Sequence, residues 1–315
     1  MKKILITGGA GFVGRHLVEA LAARGARPRV LDNFSGSSRE SFKPFLKKAA
    51  LVEGDVRRAR DVRKAVAGME AVFHLAAIRS VVKTVEDPLL SHEVNATGAL
   101  LLLHHSQKAG VKHFIFTSTS AVYGGAPARF QKEEGDLKPI SPYGIAKLAA
   151  EHYAKIYFDE RKLPTTAVRI FNVYGPHQNP ESRYSLVVPG VLSRIGKNKP
   201  PLIDGSGEQT RDFVYIDDVL DAFFKIVGNK KTFGKVYNLG AGSAVSINRI
   251  AATLLRLSGS NLKPLHGPRR PGDPLRTCAD ISRIRRELGW RPKVSLEEGL
   301  RRTVEAYPNL RTGIR

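Results

Sequence analysis

The chain has one cysteine, Cys278, so no disulfide can form within it. That suits a reducing compartment, and a cytoplasmic location is expected. No apolar run approaches the roughly 20 residues that a membrane helix requires. The densest, Ala99-Leu100-Leu101-Leu102-Leu103, is far shorter, so no membrane partner is expected. Met1-Lys2-Lys3 before Ile4-Leu5-Ile6 begins like a signal peptide, but Gly8-Gly9 breaks the pattern. Acids are scarce: 29 Asp+Glu stand against 51 Lys+Arg, a net charge of +22. Such an excess can mark a nucleic-acid binder, and it also steers anionic small molecules. Here the cations are spread along the chain, and the clusters at Arg57-Arg58 to Arg63 and Arg283 to Arg286 have acids interspersed. No aromatic-plus-basic stacking motif accompanies them, so no specific nucleic-acid partner is expected.

What the chain does have is enough material for a large core: 315 residues, 42% of them hydrophobic. That length allows one large or two moderate domains. Lys3 to Thr7 reads as a short buried strand running into Gly8-Gly9-Ala10-Gly11-Phe12-Val13-Gly14, with helical spacing from Val13 through Leu17 and Leu21. Glycines at 8, 11 and 14 permit a tight turn, close approach of a pyrophosphate, and close helix–strand packing. The helix start offers unpaired N–H groups and a positive dipole end to phosphates. The next strand, Pro28 to Leu31, ends in Asp32, placed to accept hydrogen bonds from ribose hydroxyls and to repel a 2′-phosphate. NAD is therefore expected rather than NADP. Short apolar strands then alternate with amphipathic helices, which predicts a parallel sheet covered on both faces. Asp55, Leu75-Ala76-Ala77 and Thr117-Ser118-Thr119 fall at strand ends, where such sheets bind ligands. His74 is read as packed near the sheet, and a single helix is expected over Ser91–Gly110.

Tyr143 and Lys147 stand four apart on a predicted helix, so phenol and ammonium can converge on one point. A neighbouring cation lowers a phenol's pKa and would make it a usable base near neutral pH. Beyond Ile170 the chain is richer in Pro, Gly and Arg, with shorter elements. A boundary is therefore expected there: a domain over residues 1–170 and a smaller mixed α/β substrate domain over 171–315, with some segments free to return to the first. Asp217-Asp218 reads as a helix cap, with no metal site expected, and Ser295-Leu296-Glu297-Glu298 as a capping box.

In order along the chain, Gly8 through Gly14, Asp32, Gly54-Asp55, His74-Leu75-Ala76-Ala77, Thr119 ahead of Val122-Tyr123-Gly124, and Tyr143 through Lys147 resemble the extended short-chain dehydrogenase/reductase family. The likeness is to its nucleotide-sugar epimerase and dehydratase branch, essentially from end to end. It implies a Rossmann-type doubly wound parallel sheet and a homodimer joined through a pair of helices. NAD would be held by Gly8, Gly11, Phe12, Val13 and Gly14, by Asp32, Asn33, Asp55 and Val56, and by Leu75, Ala76, Ala77, Asn95, Thr117 and Phe171. Tyr143 and Lys147 would serve both cofactor and chemistry. Thr119, not its neighbour Ser120, would bond the substrate hydroxyl. Asn172, Val187, Arg211, Arg270 and Asp273 would hold a UDP-sugar, with Arg211 and Arg270 on its diphosphate.

Dehydratases of the branch carry an Asp-Glu pair between the Thr and Val-Tyr-Gly, where this chain has Ser120-Ala121. The implied reaction is therefore epimerisation at C4 of a UDP-hexose. Thr277, where plain-hexose enzymes tend to have a tyrosine, leaves room for an N-acetyl group. A UDP-N-acetylglucosamine or UDP-glucuronate epimerase, an NAD-linked nucleotide-sugar reductase, and a non-enzymatic NAD-binding regulator or RNA-associated protein are the alternatives.

Overall fold

The computed structural model describes residues 1–125, 128–178, 187–269 and 274–307. Its strands are β1 (Ile4–Thr7), β2 (Arg29–Asp32), β3 (Ala50–Glu53), β4 (Ala71–His74), β5 (His113–Thr119) and β6 (Thr165–Ile170), followed by β7 (Asn172–Tyr174), β8 (Leu202–Asp204), β9 (Thr210–Tyr215), β10 (Lys235–Leu239), β11 (Ala244–Ser246) and β12 (Leu265–Gly267). Seven of them form one sheet in the order β10-β6-β5-β4-β1-β2-β3, every neighbouring pair parallel. Strand order reverses between β1 and β4, which opens a crevice beyond their carboxyl ends.

Both faces of this sheet are covered, as its sequences demand. All four residues of β1 are buried: Ile4 and Ile6 join one core with Ala71 and Phe73 of β4, while Leu5 joins the opposite core with Val72. The first core is closed by helices Phe12–Ala22 and Ile216–Ile226 through Leu17, Val18, Val219 and Phe223, and by Trp290. The second is closed by Val62, Leu102, Leu103, Ala150 and Ala154 on helices Ala59–Val66, Gly98–Lys108 and Pro142–Asp159.

The chain crosses back over the expected boundary. β10 hydrogen-bonds to β6 in the large sheet, and Tyr237 and Leu239 enter its core. The smaller body is built on β11-β9-β7 and β12-β8, with a core of its own around Tyr174, Val191, Phe213, Ile250 and Leu300.

The helix expected over Ser91–Gly110 is present, but it begins earlier and changes its winding on the way. It runs as Pro88–His92, a π turn over Glu93–Thr97, and Gly98–Lys108. The π turn puts Asn95 fully inside. Asp217 and Asp218 do not cap helix Ile216–Ile226, whose N-cap is Tyr215 with no side-chain bond. Asp218 is buried instead, where its carboxylate accepts from the backbone N–H of Lys293 (2.9 Å) and Val294 (3.2 Å). Ser295 does cap helix Leu296–Glu305, but Glu298 turns to Arg301 and Arg302 rather than closing the box.

Candidate active site

The loop after β1 is shaped by contacts that exclude any side chain. A Cβ on Gly14 would lie 2.4 Å from the Gly8 carbonyl oxygen, and one on Gly8, whose φ is +68°, would lie 2.7 Å from the Ala76 nitrogen. A Cβ on Gly11 would meet only the Gly8 oxygen, so that side of the loop is open to an approaching ligand. Asp32 stands at the end of β2; its carboxylate accepts from the N–H of Ala10 (2.9 Å) and of Phe34 (2.8 Å). Burial pushes its pKa up against those backbone bonds. Next to it, Asn33 donates to Asp55 (3.0 Å), and the Arg57 guanidinium pairs with that same carboxylate. Burial resists ionisation of Asp55, but the bonds from Arg57 and Asn33 win and hold it at about 2. Val56 beside it is buried.

Thr7 and His74 sit side by side at the ends of β1 and β4. The Thr7 hydroxyl meets His74 Nδ1 at 2.7 Å, and burial holds the imidazole well below its ordinary pKa, neutral inside the sheet. Leu75, Ala76 and Ala77 follow β4 into the crevice. Asn95 fixes that segment, accepting from Ile78 N–H (2.9 Å) and donating to Ile78 C=O (3.0 Å). The Thr117 hydroxyl donates to the His74 carbonyl (2.7 Å) and ties β5 to β4. Asn95 and Thr117 thus act on the crevice through backbone they hold. Phe12 packs into the smaller body's core, and Phe171 is buried against Tyr123.

Helix Pro142–Asp159 starts where Ser141 accepts from Gly144 N–H, with Pro142 in the first turn. That start brings Tyr143 to a hydrogen bond with Thr119 at the end of β5. Ser120 begins the following 3₁₀ turn, Ser120–Tyr123, which carries no carboxylate. Burial raises the Tyr143 pKa, and the Thr119 hydroxyl and the charge of Arg79 pull it back. Arg79 is thus a cation bearing on the phenol beside Lys147, the cation expected there from spacing. The Lys147 ammonium is 1% exposed and lies over the Phe116 ring, 4.2 Å from its centroid. Burial brings it down to about 7, opposed by the charge of Glu151. Arg79 lies in the segment after β4, where no periodic pattern singled it out.

The second half supplies Arg211, buried on β9, whose Nη1 donates to the Thr210 carbonyl (2.8 Å). Asn172 on β7 donates to the Asp212 carbonyl (3.2 Å), and Val187 opens helix Val187–Gly196, half-buried. The Asp212 carboxylate was not singled out by sequence reading. It accepts from the N–H of Ala241, Gly242 and Ala279 and so joins β9 to two neighbouring loops. Arg270 and Asp273 lie outside the described residues.

A glycine cradle open on one side, a carboxylate at the end of β2 and a Tyr–Thr pair fit a dinucleotide. Residues 4–240 match the model of the NAD dependent epimerase/dehydratase family.

The chain belongs to that family.

NAD is accordingly its cofactor, and the Gly8–Gly14 loop and Asp32 would hold it. The UDP-glucose 4-epimerase of Mycolicibacterium smegmatis is 34% identical over 98% of this chain and 99% of its own. The solved Thermotoga maritima UDP-glucose 4-epimerase with UDP-glucose superposes with a TM-score of 0.91 at 37% identity, covering 96% of this chain and 98% of that one. The UDP-N-acetylglucosamine 4-epimerase of Methanobrevibacter ruminantium M1, in complex with UDP-N-acetylmuramic acid, also gives 0.91, at 33% identity over 97% of each chain. Among the described residues, no helix is long and apolar enough to cross a membrane.

Proposed function

We propose that this member of the family interconverts the C4 epimers of a UDP-hexose, UDP-glucose and UDP-galactose. The observation that carries this reading is the Thr119–Tyr143 hydroxyl pair followed by a turn, Ser120–Tyr123, without a carboxylate. Eliminating water from the sugar needs an additional acid and base; moving one proton to and from one hydroxyl does not. Bound NAD supplies the reversible hydride acceptor. Tyr143, as phenolate, takes the proton of the 4-hydroxyl and later returns it. Thr119 orients the same oxygen, and Arg79 favours the anionic phenol. Lys147 holds the nicotinamide ribose. Arg211, Asn172 and Arg270 grip the diphosphate while the hexose turns, with Val187 and Asp273 against the nucleotide. The segments beyond residue 170 that stay out of the large sheet form the sugar-nucleotide side.

The test is incubation with UDP-galactose and no added cofactor, with the products separated by chromatography. UDP-glucose without net NADH is the expected product. No conversion, or a stoichiometric reduction of nucleotide, rejects the reading. The buried Thr277, whose hydroxyl has no hydrogen-bond partner, favours a second reading in which N-acetylated UDP-hexoses are also accepted. No turnover of UDP-N-acetylglucosamine beside good turnover of UDP-glucose would remove it.

A homodimer through helices Gly98–Lys108 and Pro142–Asp159 is part of the same proposal. The second of these helices leaves Ile145, Tyr153 and Ile156 exposed, and a cavity of about 290 Å³ opens between Leu100, Leu101, His104 and Tyr157. Apolar surface of this kind favours association, and sedimentation as a monomer would count against it.

A further inference from the structure

Beneath Tyr143 and Lys147 lies a polar cluster that the reaction above does not use. Glu151 is on the same helix, one turn beyond Lys147, and is buried. Its carboxylate accepts from the Ser118 hydroxyl and from Arg169, at 3.1 and 3.2 Å from Nε and 2.7 Å from Nη2. Arg169, on β6, donates through Nη1 to the Tyr123 hydroxyl (2.9 Å) and the Glu133 carbonyl (3.0 Å). Ser118 immediately precedes Thr119, and Tyr123 closes the turn after it. One carboxylate is therefore fixed by both strands beside the reactive helix, and it stands next to the lysine.

An ammonium taken out of water is driven toward its neutral form unless an anion stands near. The titratable and charged groups around Lys147 can be named. On its own helix are Tyr143, whose pKa burial raises, and Glu151. On β4 is His74, held low by burial and by the Lys147 charge; Arg169 on β6 is a cation paired with Glu151, and Arg79 after β4 bears on Tyr143. From β5 the Phe116 ring lies under the ammonium. Glu151 is the anion in this set.

We infer that Glu151, locked in place by Arg169 and Ser118, is a positioning residue that keeps Lys147 protonated at neutral pH and holds Thr119 in register with Tyr143. The inference rests on the proposed function for its kinetic consequence but not for its direct test. Burial draws Lys147 down to about 7, and the buried Glu151 carboxylate one turn away is the group that opposes the loss of its proton.

The direct test is the pH titration of the Lys147 ¹³Cε resonance in lysine-labelled, NAD-loaded protein, assigned by its loss in Lys147→Arg. In the wild type the midpoint is expected near pH 7, and a wild-type midpoint below pH 6 overturns the inference without any variant. Glu151→Gln is expected to move that midpoint down by about one to three pH units, while Glu151→Asp, which keeps the charge, moves it far less. An equal midpoint in Glu151→Gln and wild type, with only thermal stability lowered, makes the cluster structural and overturns the inference. In turnover, the alkaline limb of kcat for Glu151→Gln should shift the same way with KM for the UDP-sugar unchanged. Should the wild type turn over no UDP-hexose, the functional reading falls, but the Lys147 titration still decides this inference.

Discussion

Asn95 uses both ends of its amide on the backbone of a single residue, Ile78. That pair of hydrogen bonds is the product of a π turn, since an α-helical path would rotate the side chain about the axis. It fixes the segment that carries Ala76 and Ala77 to the glycine loop and Arg79 to the phenol. Replacing Asn95 with Ala strands a backbone N–H and a C=O, which should cost about 1–3 kcal/mol. A lower Tm together with weaker NAD retention is expected. Unchanged retention would mean that the segment holds its shape without Asn95.

Tyr143→Phe removes the proton carrier and leaves the crevice otherwise intact. Turnover of the UDP-hexose should fall by about 10²–10⁴-fold, while the NAD recovered from denatured protein stays at the wild-type amount. Turnover near the wild-type rate would discard the proposed chemistry.

Arg79 acts on the phenol through charge. Its presence favours phenolate and lowers the Tyr143 pKa, so its loss must raise that pKa. Arg79→Met is expected to move the acid limb of the kcat profile to higher pH and to reduce turnover at pH 7 more than at pH 9. Arg79→Lys should restore most of the difference. The same acid limb in Arg79→Met as in the wild type would show that another group sets the phenol's ionisation.

His113 is a stability switch remote from the chemistry. Gly228 donates its N–H to His113 Nδ1 (3.0 Å), and Nε2 meets the Thr166 hydroxyl at 2.9 Å, so the ring accepts at one nitrogen and is held neutral. Burial takes its pKa from the ordinary 6.5 to about 3. In the unfolded chain it protonates near 6.5. Its contribution is therefore complete above that pH and lost as pH falls from 6.5 toward 3, at about 1.4 kcal/mol per unit. The Tm of the wild type should drop across this window more steeply than that of His113→Gln. Parallel curves would place the acid sensitivity elsewhere.

The large sheet and its glycine loop were legible in sequence because they obey short-range rules. β1 is apolar on both faces, the glycines keep fixed offsets, and Asp32 ends the next strand. Tyr143 and Lys147 declared themselves by spacing. What spacing does not encode is which group touches which across the fold. Arg79 bears on Tyr143 from a separate element, so spacing, which pointed to Lys147, could not point to it. Asp218 is placed at a helix start, where an acid usually caps, yet its carboxylate serves residues 293 and 294 instead. The π turn around Asn95 is silent in composition, since it requires only one extra residue between bonds. The return of β10 to the large sheet depends on a pairing about 65 residues away from β6 in the chain, which no local pattern specifies.

That returning strand makes the two halves inseparable. A fragment ending at residue 170 would present β6 as a bare edge with its hydrogen-bonding groups unmatched, and would lack the side chains of Val219, Phe223, Tyr237 and Leu239 that line one face. Such a piece would be prone to stick to its own kind rather than stand alone. Inheritance of this architecture therefore has to be all or nothing: a recombination event swapping the sugar-binding half must bring a compatible seventh strand with it.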